Sequence, residues 1–195
     1  MRLTHTMPLL LILASPTSFG ETYVTPSIGY TTGGSVEDQT QNKLDFTSTV
    51  NYALAIESEI DNGRIGLFYS QQNSDVKNTN LDSSIHYLHF QSSVYYPTKD
   101  KLSAYLGLGI GASYVDAEWV KDEIGFSASI FTGLEYRVSN SIALNTHIRW
   151  LGTVVDNETT GLCQLTNNSN DSCVIKFKTD WMNQFSANLG ISWRF

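Results

Sequence analysis

The chain of 195 residues is poor in cysteine, proline and charge, with two Cys, four Pro and only 16% charged residues. Twelve Lys and Arg stand against nineteen Asp and Glu, which gives a formal charge of −7, and no basic run is present. Because phosphate contact needs clustered Lys and Arg, this balance argues against a nucleic-acid partner. Aromatic residues reach 12%, and Gly, Ser, Thr and Asn are abundant, which favours strands and turns over helices.

Long hydrophobic runs are also missing. The apolar stretch Met7–Ala14 is too short to cross a bilayer as a helix, which needs roughly 20 residues. A basic start precedes it, and the small residues Ser18 and Gly20 follow at a plausible cleavage site, as in a secretory signal peptide. A buried N-terminal helix is the weaker alternative, since the stretch is only weakly amphipathic. We predict a signal peptide over 1–20 and one domain over 21–195.

Alternation of apolar and polar residues is the dominant pattern in the remaining chain. From Phe185 to Phe195 every second residue is apolar, and polar or small residues lie between them. A period of two residues predicts a β-strand with one apolar and one polar face. A terminal strand that ends on a large aromatic residue is expected where lipid is the solvent on that side.

The same period recurs along the chain and predicts eight strands. They span about Tyr23–Thr31, Leu44–Glu57, Arg64–Gln71, Ser84–Tyr96, Leu102–Val115, Gly125–Val138, Ile142–Leu151 and Trp181–Phe195. Tight connections, including an Asn62-Gly63 turn signal, alternate with long polar ones. This layout predicts an all-β fold, a closed eight-stranded antiparallel up-and-down transmembrane β-barrel, with short turns in the periplasm and long loops outside.

A soluble eight-stranded barrel that holds a ligand is the main alternative. Such a barrel carries charged residues outside and large apolar residues inside. Here the second face of the strands is mostly Gly, Ser, Thr, Ala and Asn, which fits the inside of a narrow barrel. The apolar face is then left to meet lipid, so the membrane barrel is favoured.

The C-terminal stretch resembles the assembly signal of bacterial outer-membrane barrels through Asn188, Gly190, Trp193 and Phe195. The stretch 105–114 and the run 133–138 are similar to strands of the small OmpA-like and OmpX-like barrel families. The resemblance implies a Gram-negative outer membrane with its lipid and lipopolysaccharide, periplasmic termini and insertion by the barrel-assembly machinery. No C-terminal soluble domain is expected after the barrel.

Charged residues on the inward faces are candidates for function inside the lumen. They are Asp45, Glu57, Arg64, Glu135, Arg137, Arg149 and Arg194, with the histidines His89 and His147. Unpaired charges in a narrow barrel are costly, so these groups should pair or be hydrated. A structural plug of the lumen is the favoured interpretation, and a narrow path for small solutes or ions is the alternative.

Catalysis is less favoured. Lipid A deacylases, which are also small barrels, use a His and a Ser two residues apart with an acidic partner. Leu88, Gln91 and Arg149 stand two residues after His86, His89 and His147, so that pattern is missing, and no pairing of Ser with His stands out. We therefore expect a structural or surface-binding protein, not an enzyme, without cofactor or metal.

The long polar loops are the candidate recognition surface, since loops beyond about 12–15 residues are often functional. The last loop carries Cys163 and Cys173, which we predict to form a disulfide because the chain is exported. Metal binding is the weaker alternative, as no His or further Cys lies near them. An acidic surface in these loops suits either simple solvation or attachment to an extracellular ligand or host surface.

Overall fold

The computed structural model describes residues 20–37, 43–45, 47–73, 83–116, 123–154, 160–162, 172–174 and 181–195. Residues 1–19 of the predicted signal peptide lie outside the described residues. Within the described part of the chain, no helix is long and apolar enough to cross a membrane.

Twelve β-strands are present in the described residues. They are β1 Thr22–Gly33, β2 Ser35–Glu37, β3 Lys43–Asp45, β4 Thr49–Ile60, β5 Gly63–Asn73, β6 Ser84–Lys99, β7 Leu102–Asp116, β8 Ile124–Arg137, β9 Ile142–Val154, β10 Thr160–Leu162, β11 Ser172–Val174 and β12 Trp181–Arg194. Eight of them close into a barrel in the order β1-β12-β9-β8-β7-β6-β5-β4, and every neighbouring pair is antiparallel. The predicted eight-stranded antiparallel barrel is confirmed.

The barrel closes between its first and last strands. Tyr23 lies opposite Arg194 in the β1–β12 ladder, and the backbone N–H of Phe195 donates to the carbonyl of Thr22 at 2.9 Å. β1 also pairs with β4 along its length, so no barrel strand keeps a free edge. Closure satisfies the backbone groups that open edges would expose to hydrocarbon.

The two faces of each strand differ as the alternation predicts. On β7, Leu106, Leu108 and Ile110 point outward and are more than half exposed. Polar residues face the lumen instead, and many are buried, including Asn51, His89 and Ser127. The molecule is therefore polar inside and apolar outside, the reverse of a soluble barrel.

Tight turns and both described chain ends share one end of the barrel, here called the short-turn end. The opposite end is the long-loop end. At the first tight turn, β4 ends at Ile60 and β5 begins at Gly63, so the turn residues are Asp61 and Asn62. Asp61 adopts the left-handed conformation with φ of 44°, which places the turn one residue before the predicted Asn-Gly pair.

The second predicted strand, Leu44–Glu57, is wrong in its first part. β3 pairs with β2 in a two-stranded sheet separate from the barrel, and the barrel strand β4 begins only at Thr49. The alternation breaks at the polar residue Ser48, while the positive φ of Gly33, 97°, turns the chain from β1 into this hairpin. Asp45 lies in β3, so its assignment to the barrel interior is also wrong.

Candidate functional site in the barrel lumen

Arg64 organises the lumen near the short-turn end. It forms a two-pronged ion pair with Glu135, in which Nη1 and Nη2 each donate to a carboxylate oxygen at 2.7 Å. Its guanidinium carbon lies 3.4 Å from the ring centre of Tyr23 and 4.3 Å from that of Tyr95. We call these four residues the mouth cluster. The planar guanidinium is held by charge on its edge and by aromatic rings on its faces.

Arg149 occupies the middle of the lumen and is only 2% exposed. Its guanidinium carbon lies 3.7 Å from the ring centre of Phe68 and 4.0 Å from that of Phe131. Nη1 donates to Ser129 at 2.8 Å, and Nη2 donates to the side-chain oxygen of Gln91 at 2.7 Å. These five residues form the middle cluster, where neutral acceptors rather than a carboxylate bind the cation directly.

Gln91 links Arg149 to the buried carboxylate Glu57. Its amide nitrogen donates to Glu57 Oε1 at 2.8 Å, while its oxygen accepts from Arg149. His89 extends the network from the other side, since its Nδ1 lies 3.0 Å from Ser129 Oγ and its Nε2 lies 2.6 Å from Ser127 Oγ. Opposite charges are therefore balanced through one bridging amide across the lumen.

Glycines facing the lumen make room for these aromatic rings. A Cβ at Gly107 would collide with the ring of Phe131, and a Cβ at Gly133 would collide with the hydroxyl of Tyr105. Tyr105 uses that space to donate to Asn145 Oδ1 at 2.8 Å. The glycine-rich sequence of β7 thus serves close packing of the lumen.

Uncharged side chains fill the lumen towards the long-loop end. Gln184 Oε1 accepts hydrogen bonds from Tyr87 at 2.7 Å and from Gln72 at 2.9 Å. At this end of the lumen the apolar side chains of Ile85, Leu151 and Met182 are also buried. Sequence analysis did not single out this uncharged part of the lumen.

The remaining predicted interior charges lie at the rim of the short-turn end. Arg194 Nη1 pairs with Glu21 at 2.7 Å, and both side chains are partly exposed. Arg137 is exposed and lines an open pocket of about 320 Å³ together with Lys99 and Lys101. Arg137 and Arg194 therefore lie at the rim and are not part of the mouth cluster. Four of the predicted charges are buried in the lumen, namely Glu57, Arg64, Glu135 and Arg149.

Comparison with known proteins decides the family. Residues 8–195 match the family described as Outer membrane protein beta-barrel domain. The chain belongs to this family. A search of curated proteins gave no match.

Two solved structures show the same fold as this outer-membrane barrel. Neisserial surface protein A superimposes with a TM-score of 0.63 at 11% identity, over 90% of this chain and 99% of that one. The outer membrane protein OprG from Pseudomonas aeruginosa gives a TM-score of 0.65 at 11% identity, over 91% and 96%. The predicted resemblance to small outer-membrane barrels is confirmed, and at this identity the likeness concerns the fold alone.

A polar relay interrupts the apolar outer face of the outer-membrane barrel near its long-loop end. His86 Nδ1 lies 2.8 Å from the hydroxyl of Tyr69, and His86 Nε2 lies 3.1 Å from Ser84 Oγ. The expectation that no Ser pairs with a His is therefore wrong. The spacing Ser-x-His, which places both side chains on one strand face, is the sequence signal that could have revealed the pair.

One arrangement of donors and acceptors satisfies every hydrogen bond of this relay. Ser84 Oγ donates to Asn73 Oδ1 at 3.3 Å. When Tyr69 donates to Nδ1 and Nε2–H donates to Ser84, all three contacts are satisfied by one tautomer of His86. In that tautomer the nitrogen beside Ser84 carries a proton, so it is no base for the serine hydroxyl.

The residues of the predicted assembly signal lie in β12 and just after it. Asn188 is buried in the lumen, whereas Trp193 and Phe195 are 38% and 78% exposed on the outside. A Cβ at Gly190 would approach the carbonyl oxygen of Pro26 to 2.7 Å, so glycine allows β12 to approach β1 closely. Cys163 lies outside the described residues, and the disulfide with Cys173 stays a prediction. In the described part of the chain, no group of three or more His, Cys, Asp or Glu could hold a metal.

Proposed function

We propose that this protein is a barrel of the Gram-negative outer membrane with a sealed lumen, acting through structure or surface binding. The observation that carries the proposal is the filled lumen. Among the pockets lined by described residues, the one beside the middle cluster has about 20 Å³ and the one beside Arg64 about 30 Å³ of space open to the centre of a water molecule. The larger pocket of about 320 Å³ lies at the rim, beside Lys99 and Arg137. The two small pockets hold only one or two waters each, far less than a hydrated ion path requires.

Conductance of the refolded protein in planar bilayers tests the sealed lumen. We expect no steps from the native protein, with a known porin as the control for insertion. We also expect none from an Arg137→Ala variant, because this residue lies at the rim outside the seal. Reproducible steps from the native protein that change in an Arg149→Ala variant would refute the seal and support the narrow-path alternative.

We further propose that the short-turn end and the termini face the periplasm and that the long loops face outward. The supporting pattern is the alternation of tight turns with long connections, which is typical of outer-membrane barrels. Labelling of intact cells with an impermeant maleimide tests it, using single cysteines at Asp100 and Thr160 in a background with Cys163 and Cys173 replaced by Ser. Only Thr160→Cys should react; the opposite result reverses the orientation.

Surface binding is proposed for the long loops, above all the connection between β9 and β12. Its support is its length of 26 residues between Val154 and Trp181, together with the predicted disulfide that would constrain it. Cells that display the native barrel should adhere to host cells or extracellular matrix more than cells whose residues 155–180 are replaced by a short turn. Equal adhesion, with equal amounts of folded barrel in the membrane, would leave the barrel a structural role alone.

We propose no catalysis at the Ser84–His86 relay, since one tautomer of His86 satisfies all of its hydrogen bonds with the proton on the nitrogen beside Ser84. A fluorophosphonate probe, which labels activated serines, should leave the native protein unmodified. Labelling that disappears in Ser84→Ala and in His86→Gln would instead identify a hydrolase at the outer face.

A further inference from the structure

A small space among buried side chains lies between the mouth cluster and the middle cluster. Its volume of about 20 Å³, counted as room for the centre of a water molecule, exceeds the 10–15 Å³ or so that a single water requires. Tyr95 and Tyr105 line it towards the short-turn end, while Phe68 and Phe131 line it beside Arg149. The space is therefore large enough for one water and too small for an organic ligand.

Three side chains that line this cavity carry buried polar atoms without a partner among the described residues. They are Ser93 Oγ, His147 Nε2 and Arg149 Nε. The exposures of the three residues are 3%, 8% and 2%, so each is more than nine-tenths buried. Buried polar groups in proteins are nearly always hydrogen-bonded, and three unpartnered groups around one cavity indicate a bound ligand.

The chemistry of the lining selects the ligand. Arg149 Nε–H is a donor, Ser93 Oγ and the ring nitrogen of His147 are able to donate or accept, and the carboxylate of Glu57 lines the same space. A cation there would face the Arg149 guanidinium, and an anion would face Glu57. A neutral molecule that donates two hydrogen bonds and accepts two suits this mixture.

We propose that the cavity binds one ordered water molecule, which accepts from Arg149 Nε–H and hydrogen-bonds to Ser93 and His147. The water completes the middle cluster, because it gives Arg149 Nε–H, Ser93 Oγ and His147 Nε2 the partner that each lacks among the described residues. This inference stands apart from the proposed surface binding, since it depends only on the cavity and the partners that line it.

Nuclear magnetic resonance of the refolded, ¹⁵N-labelled full-length barrel in detergent micelles tests the proposal. The Arg149 Nε–H signal is assigned by its loss in Arg149→Lys. We expect a dipolar cross peak between this proton and a long-lived water. The sign of the cross peak in a rotating-frame experiment distinguishes it from a peak caused by proton exchange. An assigned Nε–H signal without such a cross peak would overturn the proposal.

A variant that fills the cavity is compared with a variant that changes the lumen elsewhere. Ala55→Val adds two methyl groups at a buried residue that lines the space, and the cross peak should be lost. Ser70→Val alters another buried lumen residue that does not line it, and the cross peak should remain. Where Ala55→Val fails to refold, Ser93→Val serves the same purpose. A cross peak that persists unchanged in the filling variant would overturn the proposal, and so would an anomalous bromide peak at this place in a crystal grown with bromide.

Discussion

At the scale of single residues, the ion pair of Arg64 with Glu135 joins two opposite charges inside the lumen. Both residues are nearly buried, at 5% and 8% exposure, and both carboxylate oxygens accept from the guanidinium. Removing one partner of a buried pair leaves the other charge uncompensated in a medium of low dielectric constant. Replacing one residue of the pair should therefore destabilise the barrel much more than replacing both residues.

We expect Glu135→Gln to lower the free energy of unfolding by about 3–5 kcal/mol, because Arg64 would stay buried without a counter-charge. The double variant Arg64→Met/Glu135→Leu should recover most of that loss, since apolar replacement of a whole pair is often neutral. Urea unfolding of the refolded barrel, followed by tryptophan fluorescence, measures both values.

The pair of Arg194 with Glu21 is the matched control. It has the same separation of 2.7 Å, yet its side chains are 35% and 48% exposed. Water screens such a pair, so Glu21→Gln should cost less than about 1 kcal/mol. A loss in Glu21→Gln as large as in Glu135→Gln would show that burial does not set the strength of the lumen contact.

At the scale of strands, alternation predicted which residues face lipid and which face the lumen, because the side-chain period of a strand is fixed at two. It failed at Ser48, where a polar residue at an outward position separates β3 from the barrel strand. It also gave no means to pair Arg64 with Glu135, which are 71 residues apart. Contacts across a lumen depend on the stagger of the strands, and the pattern within one strand contains no information about that stagger.

The last strand allows assembly to be separated from stability. Phe195 is 78% exposed, and its backbone closes the seam with Thr22. We expect deletion of Phe195 to reduce strongly the amount of heat-modifiable barrel in the outer membrane, because the predicted signal for the assembly machinery is lost. Protein refolded from urea into detergent needs no such machinery, so its stability should fall only by the loss of the two backbone hydrogen bonds between Phe195 and Thr22.

Phe185→Ala provides the control within the same strand. This residue is also aromatic and 57% exposed, yet it lies outside the predicted signal. Its barrel level in the membrane should remain near that of the native protein. Normal levels after deletion of Phe195, or an equal drop in both variants, would contradict the assignment of the signal.

At the scale of the whole molecule, the barrel is inverted relative to a soluble protein. Its outer face exposes large apolar side chains on every barrel strand, while polar and charged side chains are buried inside. In water such a surface would aggregate, since exposed apolar patches of this extent favour association. In a bilayer the same surface is solvated by lipid, as expected of an outer-membrane barrel.

Because the outer face should meet lipid, the free-energy cost of placing a charged side chain on it should depend on the depth of that residue in the bilayer. Leu108, 60% exposed near the middle of β7, should lie near the bilayer midplane, so Leu108→Arg should destabilise the barrel by about 2–4 kcal/mol in vesicles. Ile124, 73% exposed at the start of β8 on the long-loop end, should lie near the interface, where Ile124→Arg costs about 0–1 kcal/mol. Reversible unfolding from phospholipid vesicles measures the two values side by side. Equal and small effects would mean that water, not lipid, surrounds this face, because arginine on a wet surface carries almost no penalty.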